Sequence, residues 1–247
     1  MPFPLAHLAA VLPLQRWCPK YCDLAALIVG SLTPDLATCI DDWEYFSHTL
    51  LGTFVFCLPA GLLTLLIFRS VGAALVSTLP NPHRDVLLPL SAGSPGYGPR
   101  VVLSLLIGSW IHIAWDLLTH DHSWLVQRVP FLSARFAGMP VNHLVWWVSS
   151  AAGTGLVAFV YLSRWKARYP ERAGSSSSAD RRAYALWALI LLLPLLGAFP
   201  LAIHDVKEAS FTASFVRPVA MYYMGCAYVT LCFAGLLMKS RSLRALV

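Results

Sequence analysis

Charged side chains are scarce in this chain of 247 residues, where Asp, Glu, Lys and Arg make up 12% of the composition, about half of their share in ordinary soluble domains. Hydrophobic residues make up 57%, and the mean hydropathy is +0.64. A soluble domain of this size cannot bury so much apolar surface. The composition therefore excludes an ordinary cytosolic enzyme, a disordered chain and a coiled coil, and it predicts a polytopic membrane protein.

Acidic residues are fewer than basic ones, with 12 Asp and Glu against 18 Lys and Arg, which gives a net charge of +6. A basic chain often binds nucleic acid, but most of these basic residues stand beside apolar runs, so orientation in a membrane explains them better. The sequence also lacks a phosphate-binding glycine loop, a nucleophile elbow and a dinucleotide-binding fingerprint. We therefore expect membrane lipids as partners and no nucleic acid.

Five apolar runs are long enough to cross a hydrocarbon core, which takes about 20 helical residues. They are Gly52–Phe68, Val101–Leu118, Leu144–Leu162, Ala183–Ile203 and Val219–Met238. The shorter apolar run Leu24–Leu36 is typical of an interfacial, re-entrant or core helix. The predicted fold is therefore all-α, a membrane bundle of about five transmembrane helices with short N-terminal interfacial or re-entrant helices.

The Lys and Arg residues fall unevenly on the segments between these runs. Twelve of the 18 lie in 69–100, 163–182 and 239–247, whereas six lie in 1–50, 119–143 and 204–218. Because basic loops stay in the cytoplasm, the sequence predicts a multi-pass protein of the plasma membrane, with a cytoplasmic C-terminus and an N-terminus outside.

The chain is predicted to have three parts. Residues 1–165 form a membrane-embedded domain, and residues 183–247 form a C-terminal segment of two membrane helices. Residues 166–182 join them as a basic cytoplasmic linker, whose Gly and Ser residues make it flexible.

Histidine is distributed one-sidedly. On the predicted orientation, seven of the eight His residues belong to the extracytoplasmic side, namely His7, His48, His112, His120, His122, His143 and His204. Asp35 and Asp116 lie on the same side. Histidines that served only solubility would not be so one-sided, so the sequence predicts a polar centre at one mouth of the bundle.

The sharpest local pattern places His112, Asp116 and His120 at intervals of four residues. On an α-helix this spacing brings all three side chains to one face. An ionisable side chain inside an apolar run is costly unless it is paired or bound to a cation. Imidazole and carboxylate suit Zn²⁺, Mn²⁺ or Fe²⁺. The alternatives are a proton or ion relay, and a His–Asp pair that fastens two helices.

A second polar group precedes the first long run. Pro34 ends or bends the short apolar helix and leaves Asp35 at its end, and His48 follows directly before the first span. From there, Asp35 and His48 can approach the His112 face. Three acidic residues between them fit either loop solvation or contact with a cation: Asp41, Asp42 and Glu44.

Five motifs within residues 1–165 follow one another in a specific order: Met1–Leu14, Leu27–Asp35, Phe46–Leu50, His112–His120 and the pair Ser149-Ser150. In this order they resemble an uncharacterised bacterial membrane family, domain-of-unknown-function family 4184. The order of the His and Asp residues is also similar to that of YdjM-type inner-membrane metal-dependent hydrolases and of the zinc-dependent phospholipase C and nuclease family. The resemblance implies a divalent metal, zinc or else manganese or iron, with six ligands: His7, Asp35, His48, His112, Asp116 and His120.

The expected function is that of a metal-dependent hydrolase at the extracytoplasmic membrane interface, acting on a phosphoester or lipid-linked substrate. The metal would polarise a phosphoryl or acyl oxygen, and Asp35 or Asp116 would orient or deprotonate the attacking water. Two other functions stay open. The same residues would serve a transporter that conducts protons or cations, or they would pin helices together in a membrane scaffold without catalytic activity.

Overall fold

The computed structural model describes residues 4–37, 43–91, 98–168, 178–205 and 213–244. These residues form helices and one short hairpin, which confirms the predicted all-α class. Asp41 and Asp42 lie outside the described residues, as does the side chain of Glu44.

Short helices precede the first long helix, and short elements also connect the later ones. The N-terminal elements are α1 (Pro4–Trp17), α2 (Leu24–Leu36) and α3 (Trp43–Ser47). The first long helix consists of α4 (Leu50–Gly52), a π-helical turn (Thr53–Cys57) and α5 (Leu58–Ser77). The elements that follow are α6 (His83–Ser91), α7 (Pro99–Thr119), α8 (Trp124–Arg128), α9 (Pro130–Ser133), β1 (Arg135–Phe136), β2 (Met139–Pro140), α10 (Val141–Arg168), α11 (Ser178–Asp205) and α12 (Ala213–Arg244).

Within the described residues, five helical stretches are long and apolar enough to cross a membrane. They are Leu50–Ser77, Pro99–Thr119, Val141–Ala167, Asp180–His204 and Pro218–Ser240. Each stretch contains one of the five predicted runs, so the predicted spans are confirmed. The first is longer than predicted because the residues after Arg69 are again small or apolar, and the helix therefore continues to Ser77.

The chain divides into two compact units. One unit comprises Met1–Leu65 and Pro95–Ser163, and the other comprises Leu66–Ser94 and Arg164–Val247. The predicted membrane-embedded domain, 1–165, included the segment Leu66–Ser94, which the structure groups with the C-terminal helices. The functional division of the chain into these three parts remains a prediction.

In the first unit, α2 packs closely against α7 through two glycines. A Cβ atom at Gly30 would collide with the carbonyl of Leu105, and one at Gly108 would collide with the carbonyl of Leu27. Glycines at a crossing let two membrane helices approach backbone to backbone. The helix α2 has 13 residues, which span about 20 Å at 1.5 Å per residue. It is therefore a short helix, as the length of its apolar run predicted, and it packs on α7.

Polar contacts fix the start of α2 on the start of α7. The Asp23 carboxylate accepts a hydrogen bond from the Ala26 amide at 2.8 Å and caps the helix. The Asp23 amide donates to the Ser104 hydroxyl at 2.9 Å. The guanidinium of Arg100 donates to the carbonyls of Pro19 and Cys22. These bonds fix the register in which α2 runs along α7.

In the second unit, α11 and α12 pack along each other. The hydroxyl of Tyr223 donates to the Leu191 carbonyl at 2.9 Å, and the indole of Trp187 donates to the Thr78 hydroxyl at 3.2 Å. The ring of His83 lies edge-on to the rings of Trp165 and Tyr184. This histidine therefore has an aromatic packing role within the second unit.

Candidate metal centre

Four ionisable side chains converge inside the first unit. They are Asp35 from α2, His48 from the turn between α3 and α4, and His112 and Asp116 from α7. One ligand atom from each of the four lies within 4.8 Å of every other. The sequence predicted all four as site residues, and the structure brings them together.

The separations between these atoms match those around a single small cation. His112 Nε2 lies 3.2 Å from Asp35 Oδ1 and 3.2 Å from Asp116 Oδ2. His48 Nε2 lies 3.4 Å from Asp116 Oδ2 and 3.9 Å from Asp35 Oδ1. Nitrogen and oxygen ligands about 2.1 Å from a tetrahedral zinc ion are about 3.4 Å apart. The group is therefore able to hold a metal ion of this size.

Pro34 explains how α2 presents Asp35 to α7. Proline has no amide hydrogen, so it cannot donate to the Gly30 carbonyl one turn earlier. That carbonyl instead accepts hydrogen bonds from the Thr33 hydroxyl at 2.8 Å and the Ser109 hydroxyl at 3.0 Å. Because Ser109 precedes His112 by one helical turn, these bonds fasten the end of α2 beside the imidazole that Asp35 faces.

A backbone carbonyl orients the ring of His112. Its Nδ1 lies 2.8 Å from the Ser31 carbonyl oxygen, which only accepts, so Nδ1 carries the hydrogen and donates it. The other nitrogen, Nε2, then faces the two carboxylates. An imidazole that binds a metal through one nitrogen usually donates from the other in this way.

A hydroxyl orients the ring of His48. The Ser47 hydroxyl donates to the Pro34 carbonyl at 3.0 Å, and it lies 3.1 Å from His48 Nδ1. Since the hydrogen of the hydroxyl is directed to Pro34, its oxygen accepts from Nδ1. The Nε2 lone pair of His48 is therefore directed at the carboxylates as well.

The site is buried and rich in nitrogen and oxygen atoms. His112 is fully buried, Asp35 is 4% exposed and Asp116 is 6% exposed. Among the described residues, His112 Nε2 and both carboxylate oxygens of Asp116 have no hydrogen-bond partner. Buried acceptors without a donor are costly, and a cation would satisfy them. The donor set of two imidazoles and two carboxylates fits Zn²⁺, Mn²⁺ or Fe²⁺.

His7 lies directly against this group. It is contributed by α1 and is 3% exposed, and its ring stacks on that of His112 with the centroids 4.0 Å apart and the planes at 20°. Its Nε2 lies 3.8 Å from Asp116 Oδ1. Burial lowers the pKa of His7 to about 4, so the ring is neutral at pH 7 and its nitrogen can act as a ligand.

His120 lies beside Asp116 at the end of the helix, as a cap residue. The helix α7 ends at Thr119, and His120 is its extended C-cap residue, with φ −100 and ψ 130. Its Nδ1 lies 3.0 Å from the Asp116 backbone carbonyl and 3.7 Å from Asp116 Oδ1. Burial lowers the pKa of His120. Within the described residues it borders the four-residue group, and its assignment as a ligand stays a prediction.

The loop after α7 forms a separate polar cluster. Asp121 accepts from Asn142 Nδ2 at 2.7 Å, and His143 Nε2 lies 3.0 Å from each of its carboxylate oxygens. The hydrogen bonds with Asn142 and His143 lower the pKa of Asp121, and the one from Asn142 contributes most. Among the described residues, the group of four potential ligands includes neither His143, nor His122, nor His204.

Comparison with curated proteins and with solved structures found no significant match. The similarity to YdjM-type hydrolases and to zinc-dependent phospholipases therefore rests on the order of the site residues alone. A family model does match the chain, over residues 1–240. The match extends through the last two spans, beyond the segment 1–165 that carries the recognised motifs. The chain accordingly belongs to the family described as Domain of unknown function (DUF4184).

Proposed function

We propose that this protein is a membrane-bound metal-dependent hydrolase that acts on a phosphoester or lipid-linked substrate at the extracytoplasmic face of a bacterial plasma membrane. The observation that carries the proposal is the convergence of Asp35, His48, His112 and Asp116 in a buried site. The hydrogen bonds of the two imidazoles direct both Nε2 atoms to the carboxylates. A clamp that served only to hold helices together would not need two imidazoles oriented as ligands.

A bound divalent cation supplies Lewis acidity, which polarises a phosphoryl or acyl oxygen. The protein supplies the proton acceptor and the approach to the site. Asp35 and Asp116 are the candidate bases for the attacking water, because an oxygen of each belongs to the same group of converging ligand atoms. The His48 side chain is 21% exposed, so the site opens on the side of His48 and His120.

The position of the site in the chain supports a substrate at the membrane interface. Asp116 lies within the last turn of α7, whose apolar span ends at Thr119. In the loop that follows, the aromatic side chains of Trp124, Phe131 and Phe136 are exposed. Aromatic residues beside the end of a span are typical of the headgroup level of a bilayer. A lipid headgroup or lipid-linked phosphate would therefore be presented at the depth of the site.

The test is the metal content of the detergent-purified protein, measured beside the variant His112→Ala/Asp116→Ala. We expect at least one equivalent of zinc, manganese or iron in the wild type and none in the variant. His143→Ala is the matched control, since this histidine is half exposed and lies outside the group. Gel filtration and circular dichroism establish that each protein is folded.

Hydrolysis is then assayed on phosphate esters and phospholipids, with the metal removed and restored. A folded, metal-free wild type that takes up no added metal would contradict the proposal, and His112 would then be an imidazolium held between two carboxylates. Metal binding with cation flux in proteoliposomes, and without hydrolysis, would instead assign the site to transport.

A further inference from the structure

The two oxygens of Asp116 face different imidazoles. Oδ2 lies 3.2 Å from His112 Nε2 and 3.4 Å from His48 Nε2, within the four-residue group. Oδ1 lies 3.8 Å from His7 Nε2 and 3.7 Å from His120 Nδ1. One carboxylate therefore has nitrogen atoms near both of its oxygens.

The stacking of His7 on His112 gives this arrangement its geometry. The rings are nearly parallel and their centroids are 4.0 Å apart, so the two imidazoles lie face to face. The Nε2 atom of each lies nearest to a different oxygen of Asp116. Both His7 Nε2 and Asp116 Oδ1 are buried and have no hydrogen-bond partner among the described residues. A cation placed between these two buried atoms would satisfy both of them.

The separation of this pair indicates an intervening atom. At 3.8 Å, His7 Nε2 and Asp116 Oδ1 are too far apart for a direct N–H···O hydrogen bond, which ends near 3.2 Å. A cation about 2.1 Å from each atom would span this distance with an obtuse N–metal–O angle. Two-metal sites hold their ions about 3.5–4 Å apart, a spacing comparable to that of the stacked rings.

We infer that His7 and Asp116 Oδ1 hold a second divalent cation beside the first, with the Asp116 carboxylate bridging the two. This inference rests on the proposed function, because it needs the first cation in its place. The second position lies on the side of His120, whose side chain is 35% exposed, and is therefore the one nearer to an incoming substrate. Two adjacent cations can stabilise the attacking and the leaving oxygen when a phosphate ester is cleaved, and a phosphate ester is the ligand class assigned to the pair.

The experiment compares the wild type with His7→Phe, which keeps an aromatic ring stacked on His112 and removes the nitrogen. Metal-free protein is titrated with Mn²⁺, and the bound ions are counted and examined by electron paramagnetic resonance. We expect two Mn²⁺ with an exchange-coupled spectrum in the wild type, and one Mn²⁺ with a mononuclear six-line spectrum in His7→Phe. His7→Gln serves as a second variant if the Phe ring disturbs the packing of α1.

The outcomes separate this inference from the proposed function. One mononuclear Mn²⁺ in the saturated wild type would overturn the second position and leave the metal-dependent hydrolase standing. No bound Mn²⁺ would overturn both. Two coupled ions in His7→Phe and His7→Gln alike would overturn the assignment to His7. Inorganic phosphate should bind the Mn²⁺-loaded wild type at least tenfold more tightly than His7→Phe, and equal affinities would overturn phosphate as the ligand class.

Discussion

The hydroxyl of Ser47 lies between His48 Nδ1 and the Pro34 carbonyl, at 3.1 and 3.0 Å. It connects two ligand-bearing segments, since Pro34 immediately precedes Asp35. Ser47 is fully buried, so a substitution there acts on the site without changing the surface. Groups that orient a ligand in this way affect metal affinity although they do not contact the ion.

We predict that Ser47→Ala lowers metal affinity about 10- to 100-fold, the range typical for loss of such an orienting partner. The physical reason is that His48 loses the acceptor that holds its ring and its tautomer. Affinity is measured by competition with a chelator of known strength. Ser77→Ala is the control, because that hydroxyl is exposed and donates within its own helix, to the Ala74 carbonyl. Unchanged affinity in folded Ser47→Ala protein would show that the hydroxyl does not orient His48.

At the scale of elements, the site depends on how closely α2 and α7 approach. Gly30 and Gly108 leave no room for a methyl group between the two backbones. The hydrogen bond between the Ser31 carbonyl and His112 spans the same crossing. A small separation of the two helices would therefore lengthen this bond and displace Asp35 from His112.

We predict that Gly30→Ala destabilises the protein by about 1–3 kcal/mol, as over-packing usually does, and also reduces its metal content. Stability is measured by thermal unfolding in detergent, and metal content by elemental analysis. Gly155→Ala is a matched control, because a Cβ at Gly155 would have no atom within 4 Å among the described residues. Equal stability and metal content in the two variants would exclude a tight crossing at Gly30.

Much of this element-level arrangement could be predicted from the sequence. Apolar runs predicted the five spans. The positions of ionisable residues within or just before these runs, or beside Pro34, predicted four site residues: Asp35, His48, His112 and Asp116. The contacts of Ser31 could not be predicted, because any residue type offers the same backbone carbonyl. The spacing placed His120 beside Asp116, where it lies, but spacing alone does not reveal that α7 ends at Thr119 and leaves His120 as its cap.

At the scale of the whole molecule, the candidate ligands join parts of the chain that are far apart in sequence. Without a cation, the repulsion between the buried carboxylates of Asp35 and Asp116 would have to be offset by a proton on an imidazole such as that of His112, which lies between them. A metal bound at this site should therefore add to the stability of the folded protein.

We predict that a chelator lowers the melting temperature of the wild type. Binding at a free metal concentration 1,000 times the Kd stabilises a fold by about 4 kcal/mol, and removal of the metal forfeits this. The variant His112→Ala/Asp116→Ala should melt at the same temperature with and without the chelator. A chelator that shifts both proteins equally would be acting on something other than this site.

The proposed orientation predicts that the loop after α7 lies outside the cell and that the end of α10 lies inside. In a protein whose six native cysteines are replaced, His122→Cys should react with an impermeant maleimide on intact cells. Ser163→Cys should react only after lysis. Both side chains are exposed, so packing within the described part of the protein shields neither from the reagent. The reverse labelling pattern would invert the orientation and leave the geometry of the site unchanged.

The hydrogen bond between Ser31 and His112 joins residues 81 positions apart, and this separation has a consequence for biosynthesis. A ribosome adds about 5–20 residues per second, so α2 and its carboxylate emerge several seconds before α7. During this interval, Asp35 has neither of its α7 partners, and the centre cannot yet be loaded with metal. A metal at this site would therefore be bound late in biosynthesis, after the second membrane span has been inserted.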